Sequence, residues 1–101
     1  MSPMAYRIVY EVSAEEHLSR LSARDQVLVV DAVDRALEHE PTRETRNQKR
    51  MRPNPIAPWE LRVRSLRVYF DVDEDTRTVT ILAVGVKDRN RVRIGREELP
   101  L

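Results

Sequence analysis

Residues 59–87, WELRVRSLRVYFDVDEDTRTVTILAVGVK, alternate polar and apolar side chains so regularly that an antiparallel meander is the fold they suit. Leu61, Val63, Leu66, Val68, Phe70 and Val72 are apolar, and Glu60, Arg62, Arg67 and Asp71 interleave with them, giving strands one dry face and one wet face. A two-residue turn at Arg64-Ser65 sets Val63 opposite Leu66 and Leu61 opposite Val68. On the other face it sets Arg62 opposite Arg67 and Glu60 opposite Tyr69. Arg64-Ser65 lacks the Asn-Gly or Gly-X signal of a tight hairpin, so the register rests on the alternation. Like charges directly across a strand pair cost a few tenths of a kcal/mol to about 1 kcal/mol. The arginine pair therefore suits a fold that puts an anion between them; the alternative is an exposed pair splaying into water.

The third strand of the meander, Arg77 to Val86, is apolar on both faces, with Val79, Ile81 and Ala83 on one and Leu82, Val84 and Val86 on the other. It reads as a central strand, covered by helices on one side and by another segment on the other. Gly85 near its end marks a bend or a close backbone approach.

Upstream, Tyr6 to Val12 reads as a strand whose buried face is Tyr6, Ile8, Tyr10 and Val12, after an irregular start over residues 1–5. Ser13-Ala14-Glu15-Glu16 has the form of a capping box, with Ser13 at the N-cap of a helix running to about Leu21. Ala14, Leu18 and Leu21 face the sheet and His17 lies on or beside the wet side, a surface histidine rather than a catalytic base. Ser22 caps a longer helix, Ala23 to about Glu40. Its stripe is Val27, Val30, Val33 and Leu37, with Val29 and Ala36 beside them. Pro41 ends it, and His39 suits the negative end of the helix dipole.

Residues 41–58, PTRETRNQKRMRPNPIAP, contain four prolines, no glycine and no hydrophobic period, and read as a long structureless loop. Downstream of the meander, Val92 and Ile94 alternate with Arg91 and Arg93 in a short strand or extended tail. Leu99 and Leu101 need a groove on this chain or a partner to cover them. The expected fold is a single α+β domain over residues 1–101, in the order β-α-α-β-β-β, with a small antiparallel sheet packed on an N-terminal helical hairpin.

Charge is distributed unevenly. Residues 1–40 carry four arginines against eight acids, whereas residues 41–67 carry eight basic residues against Glu44 and Glu60. A further basic run, Lys87 to Arg96, follows the last meander strand. Such a focus at one end of a sheet favours a polyanion, with nucleic acid the commonest; Lys49, Arg50, Arg52, Arg64, Arg89 and Arg93 are the expected backbone-binding side chains. A solvated basic loop on a scattered surface is the competing reading. The chain has no cysteine, no signal-peptide pattern and no apolar run near the ~18 residues of a membrane span, so a soluble cytoplasmic protein is expected. No His, Cys and carboxylate cluster has ligand spacing, and neither a metal nor another cofactor is expected.

The order of elements, together with YRIVYEV, HLSRL, WELRV, LRVYFDVDE and ILAVGVKDRNRVRIG, resembles the RelE/ParE superfamily of bacterial type II toxin–antitoxin toxins over nearly the whole chain. The resemblance implies a toxin held inactive by a cognate antitoxin protein. It implies one of two targets: mRNA on the ribosome, cut by an endoribonuclease of the RelE branch, or DNA gyrase, inhibited without cutting by the ParE branch. A degenerate member that only binds its antitoxin is a third reading. The RelE pattern R-[LV]-x-[YF] falls on Arg67, its preceding basic strand on Arg62, and its basic residue after the closing glycine on Lys87. Glu60 stands where another basic residue is common, and Arg93 stands where some members carry a tyrosine.

Cleaving RNA through its 2′-OH requires holding the phosphodiester in line, stabilising the phosphorane and moving two protons. Arginines supply planar bidentate donors matched to phosphate oxygens. Arg67 and Lys87 are accordingly assigned to charge stabilisation and Arg62 to phosphate positioning. Glu60 is the carboxylate placed to act as general base, unless it serves only as an ion-pair partner for those arginines.

Overall fold

The structure, a computed structural model, describes residues 5–101. The irregular start expected over residues 1–5 falls, but for Ala5, outside the described residues. Strand β1 (Arg7–Tyr10) leads into helices α1 (Val12–Ser19) and α2 (Ala23–Leu37), followed by strands β2 (Gln48–Arg50), β3 (Trp59–Val63), β4 (Leu66–Asp73), β5 (Thr78–Asp88), β6 (Arg91–Ile94) and β7 (Glu97–Leu99). All lie in one sheet of order β2-β3-β4-β5-β6-β7, with β1 joined to β5. Pairing is antiparallel throughout except between β1 and β5, which run parallel. No helix among the described residues is long and apolar enough to cross a membrane.

The β3–β4 hairpin has the register that the alternation predicts: Leu61 faces Val68, Glu60 faces Tyr69, and Arg62 faces Arg67. Arg64 supplies the left-handed turn residue, at φ 59°, in place of the glycine that such turns favour. Between Tyr69 and Phe70 the β4–β5 register slips past Leu82, a bulge that lets β5 bend.

The main core lies between the helices and one sheet face. Ala14, Val29, Val33 and Leu37 pack there on Trp59, Leu61, Val68, Phe70, Val79 and Ile81, and the Trp59 and Phe70 rings stack with centroids 6.0 Å apart. The buried line on α2 is Val29, Val33 and Leu37, while Val27 and Val30 are exposed. The expected stripe is therefore corrected by a fraction of a turn: with valines at 27, 29, 30 and 33, two adjacent faces are apolar and tertiary packing chooses between them. Val12 is exposed because β1 ends at Tyr10 and α1 starts where the strand was expected to continue.

The opposite sheet face carries a second core: Tyr69, Ala83, Val92 and Ile94 with Ala57, against which Met51, Ile56, Leu99 and Leu101 pack. The C-terminal hairpin and the basic loop thus form the second cover that β5 needed. Leu99 and Leu101 find their groove on this chain. Gly85 permits the wrap, since a Cβ there would stand 2.7 Å from Val92 Cγ1 and 2.8 Å from the Arg93 carbonyl oxygen.

Two α1 side chains have different roles from those expected. Glu11, not Ser13, is the N-cap residue, and no side chain caps the helix. Instead Ser13 Oγ donates to the Leu82 carbonyl at 3.1 Å, and His17 Nδ1 accepts from the Val84 N–H at 3.2 Å. On the edge of β5 away from β4, β1 covers Thr78–Ile81 and β6 covers Val86–Asp88. Ser13 and His17, one helical turn apart, satisfy backbone groups in the gap between them. His17 is therefore a half-buried structural acceptor rather than a solvated surface histidine. Ser22 does cap α2, accepting from the Asp25 N–H at 3.1 Å.

Candidate nucleic-acid interface

The basic loop is ordered around two amides. Gln48, buried, donates to the carbonyls of Glu40 and Pro41 at 2.9 Å each, which fixes the entry to β2. Asn54 donates to the carbonyls of Arg52 and Ala57 at 2.7 and 2.9 Å and accepts from the Ile56 and Ala57 N–H groups at 2.8 and 3.1 Å. The structureless loop expected over 41–58 is thus corrected to an edge strand followed by an Asn-latched turn.

This order matters because β2 pairs with β3 so that Lys49 faces Glu60. Combined with the β3–β4 register, one row across the sheet reads Lys49, Glu60, Tyr69, and the next reads Arg62, Arg67, Gly85. These rows lie on the face away from the helices. Lys49, Arg50, Arg52, Glu60, Arg62, Arg67 and Lys87 all line one cleft of about 500 Å³, together with Asn54, Pro100 and Leu101.

Each cation of this cleft is held differently. Arg62 Nε lies 3.2 Å from Glu60 Oε1. Arg67 donates through one Nη to the carbonyls of Arg64 at 2.7 Å and Leu66 at 2.9 Å, so its charge stays uncompensated by any acid among the described residues. The facing arginines are thereby drawn apart, one toward Glu60 and one toward the turn. Lys87 donates Nζ to the Leu101 carbonyl at 3.2 Å, and its backbone N–H to the Ser65 carbonyl at 2.7 Å. Arg50 sits over the Trp59 ring at 5.8 Å.

The remaining basic candidates lie outside this cleft. Arg89 and Arg93 line an adjoining hollow of about 490 Å³ with Ser65 and Arg91, and the two share Lys87 as their common wall. Arg64 lines neither and contributes its carbonyl to Arg67.

Tyr69 lies beneath this site, opposite Glu60, and charge patterning did not single it out. Its side chain is fully buried, and its hydroxyl makes no hydrogen bond of ordinary geometry among the described residues, although the Glu60 carboxylate stands close enough to act on it as an acceptor. Burial pushes the phenol well above the usual tyrosine range, and the neighbouring Glu60 carboxylate pushes it further, against the opposing pull of Arg67 and Arg62. The sequence signal was available in the predicted cross-strand pairing with Glu60.

The fold and cleft define a class: a small α+β domain with cationic side chains on the sheet face opposite a helical hairpin. No family model and no curated protein matches the chain. Among solved structures, it matches a chain of the toxin–antitoxin complex RelBE2 from Mycobacterium tuberculosis with a TM-score of 0.67 and 24% identity, over 83% of this chain and 100% of that one. It also matches a chain of the archaeal RelE–RelB complex from Pyrococcus horikoshii OT3 with a TM-score of 0.68 and 17% identity, over 85% of this chain and 99% of that one. The resemblance read from the sequence holds at the level of the fold, which is RelE-like.

Proposed function

We propose that this chain is the toxin of a type II toxin–antitoxin pair, that a cognate antitoxin protein restrains it, and that it cuts mRNA on the ribosome without a metal. The observation that carries this reading is the convergence of Lys49, Arg50, Arg52, Glu60, Arg62, Arg67 and Lys87 on one cleft. The known neighbours of the same fold come from toxin–antitoxin complexes, which supports the partner.

In the cleft, Arg62 positions the scissile phosphate and Glu60 takes the proton of the 2′-OH as its oxygen attacks phosphorus. Arg67 and Lys87 stabilise the charge of the phosphorane, and the bond from phosphorus to the 5′ oxygen breaks, leaving a 2′,3′-cyclic phosphate and a 5′ oxygen that takes its proton from water. Arg67 is suited to this, because its backbone anchors orient the guanidinium before substrate arrives. Lys49, Arg50 and Arg52 hold the flanking backbone, with Arg89 and Arg93 continuing the cationic surface beyond Lys87.

Inducing the protein and mapping mRNA 5′ ends on translating ribosomes tests the reading. New ends in the parent and none in Arg67→Ala are expected. A growth defect with unchanged mRNA ends would exclude the nuclease, and a DNA supercoiling assay then tests gyrase as the target.

A further inference from the structure

Glu60 lines the cleft among several cations and one hydroxyl. Lys49 faces it from β2, Tyr69 from β4, Arg62 follows it on its own strand, and Arg67 and Lys87 share the same cavity. Its carboxylate is engaged by Arg62 at 3.2 Å, and that contact conflicts with its task. A carboxylate neutralised by a guanidinium is a poor base, and an arginine tied to a carboxylate is a poor phosphate ligand.

Beside it is a donor that its acceptor engages only loosely. Tyr69 is fully buried among Ala57, Ala83, Val92 and Ile94; among the described residues its hydroxyl makes no hydrogen bond of ordinary geometry, and the Glu60 carboxylate is near enough to act on it as an acceptor. A buried hydroxyl left unpaired is unfavourable, and such groups are rare in folded proteins. The cross-strand register puts Glu60 directly opposite it.

The geometry points to Tyr69 as a positioning residue that receives the Glu60 carboxylate when a substrate phosphate takes Arg62. This rests on the nuclease reading for its purpose but not for its occurrence, because any phosphate-like anion that binds Arg62 releases Glu60. The exchange satisfies every group at once. Arg62 gains phosphate oxygens, and the loose approach of Glu60 to the Tyr69 hydroxyl closes into a full hydrogen bond. Glu60 is then held in one rotamer and freed from its cation.

Two arms test it. In the first, the ¹³Cζ resonance of Tyr69 is followed by NMR as the parent protein is titrated with inorganic phosphate, and separately in Arg62→Ala without phosphate. Phosphate should move the resonance in the parent, and Arg62→Ala should already show the moved position. Glu60→Gln serves as the control in which the carboxylate is absent. A Tyr69 resonance in Arg62→Ala identical to that of the unliganded parent overturns the proposal, whether or not the protein cleaves RNA.

The second arm is the pH profile of mRNA cleavage on translating ribosomes in Tyr69→Phe. Losing the hydroxyl that holds the freed carboxylate should move the acid limb to higher pH, lowering the rate several-fold below the limb and little above it. An unmoved acid limb with a uniformly reduced rate would assign Tyr69 to packing alone and overturn the proposal. Absence of cleavage in the parent would instead remove the nuclease reading and leave the first arm to decide.

Discussion

The His17 imidazole and the Val84 amide are joined at 3.2 Å, with Nδ1 as the acceptor. That bond exists only while Nδ1 is unprotonated. Desolvation lowers the His17 pKa from its ordinary 6.5, Arg20 lowers it further, and Glu16 opposes them. The unfolded chain therefore binds the proton more readily than the folded one. The His17 contribution is complete above pH 6.5 and is lost as pH falls through the lower folded value. Urea midpoints measured between pH 7.5 and about pH 5 should fall more steeply in the parent than in His17→Asn, whose Oδ1 occupies the Nδ1 position and does not titrate. Parallel curves would show that the contact carries no proton linkage.

Replacing Gly85 tests the wrap of the C-terminal hairpin. A Cβ at this position meets both a side chain and the Arg93 carbonyl inside 3.0 Å, and the carbonyl cannot swing aside without moving β6. Gly85→Ala should cost about 1 to 3 kcal/mol, the range of overpacked cores, measured as a shift in the denaturant midpoint at constant slope.

For Arg67 the expected loss is in activity rather than stability. Its anchoring bonds are to carbonyls at a partly exposed turn, so Arg67→Ala should change unfolding free energy by about 1 kcal/mol or less. Cleavage should fall by about 100-fold or more, as when a preorganised donor to a developing oxyanion is removed. Arg67→Lys should recover little, since a lysine has no second nitrogen to give phosphate a bidentate pair while the first keeps both carbonyls.

Asn54 makes four hydrogen bonds to backbone groups of its own turn and a fifth to Met51 Sδ. In Asn54→Ala the amides of Ile56 and Ala57 should exchange with solvent markedly faster, and RNA affinity should weaken with an unchanged salt slope. A reduced slope would mean that cations had left the interface, rather than that the loop holding them had loosened.

The parts of this molecule that were legible in its sequence are those fixed by local alternation. The β3–β4 register follows from Leu61, Val63, Leu66 and Val68, because a slip of one residue would turn every one of them to the wrong face. The same register carried Glu60, Arg62 and Arg67 to one side, and the cleft followed. Legibility failed where a residue's partner is remote or its neighbours are too alike. Ser13 has the sequence context of a cap, yet its acceptor is the carbonyl of Leu82, which no local pattern reveals. The valines of α2 left its buried face undecided until the sheet selected Val29 and Val33. Gln48–Arg50 is too short for a period of two to show. Tyr69 read as one more strand aromatic, although its pairing with Glu60 was in hand.

The parallel seam between β1 and β5 bears on when this protein becomes able to act. The first strand is synthesised long before Thr78–Ile81, so it must wait, unpaired, through most of translation. The side chains of the cleft are likewise spread from Lys49 to Lys87. A nascent chain therefore carries its cations tens of residues before it carries a working surface. The order in which the strands are delivered thus makes the cationic cleft one of the last features of the fold to form.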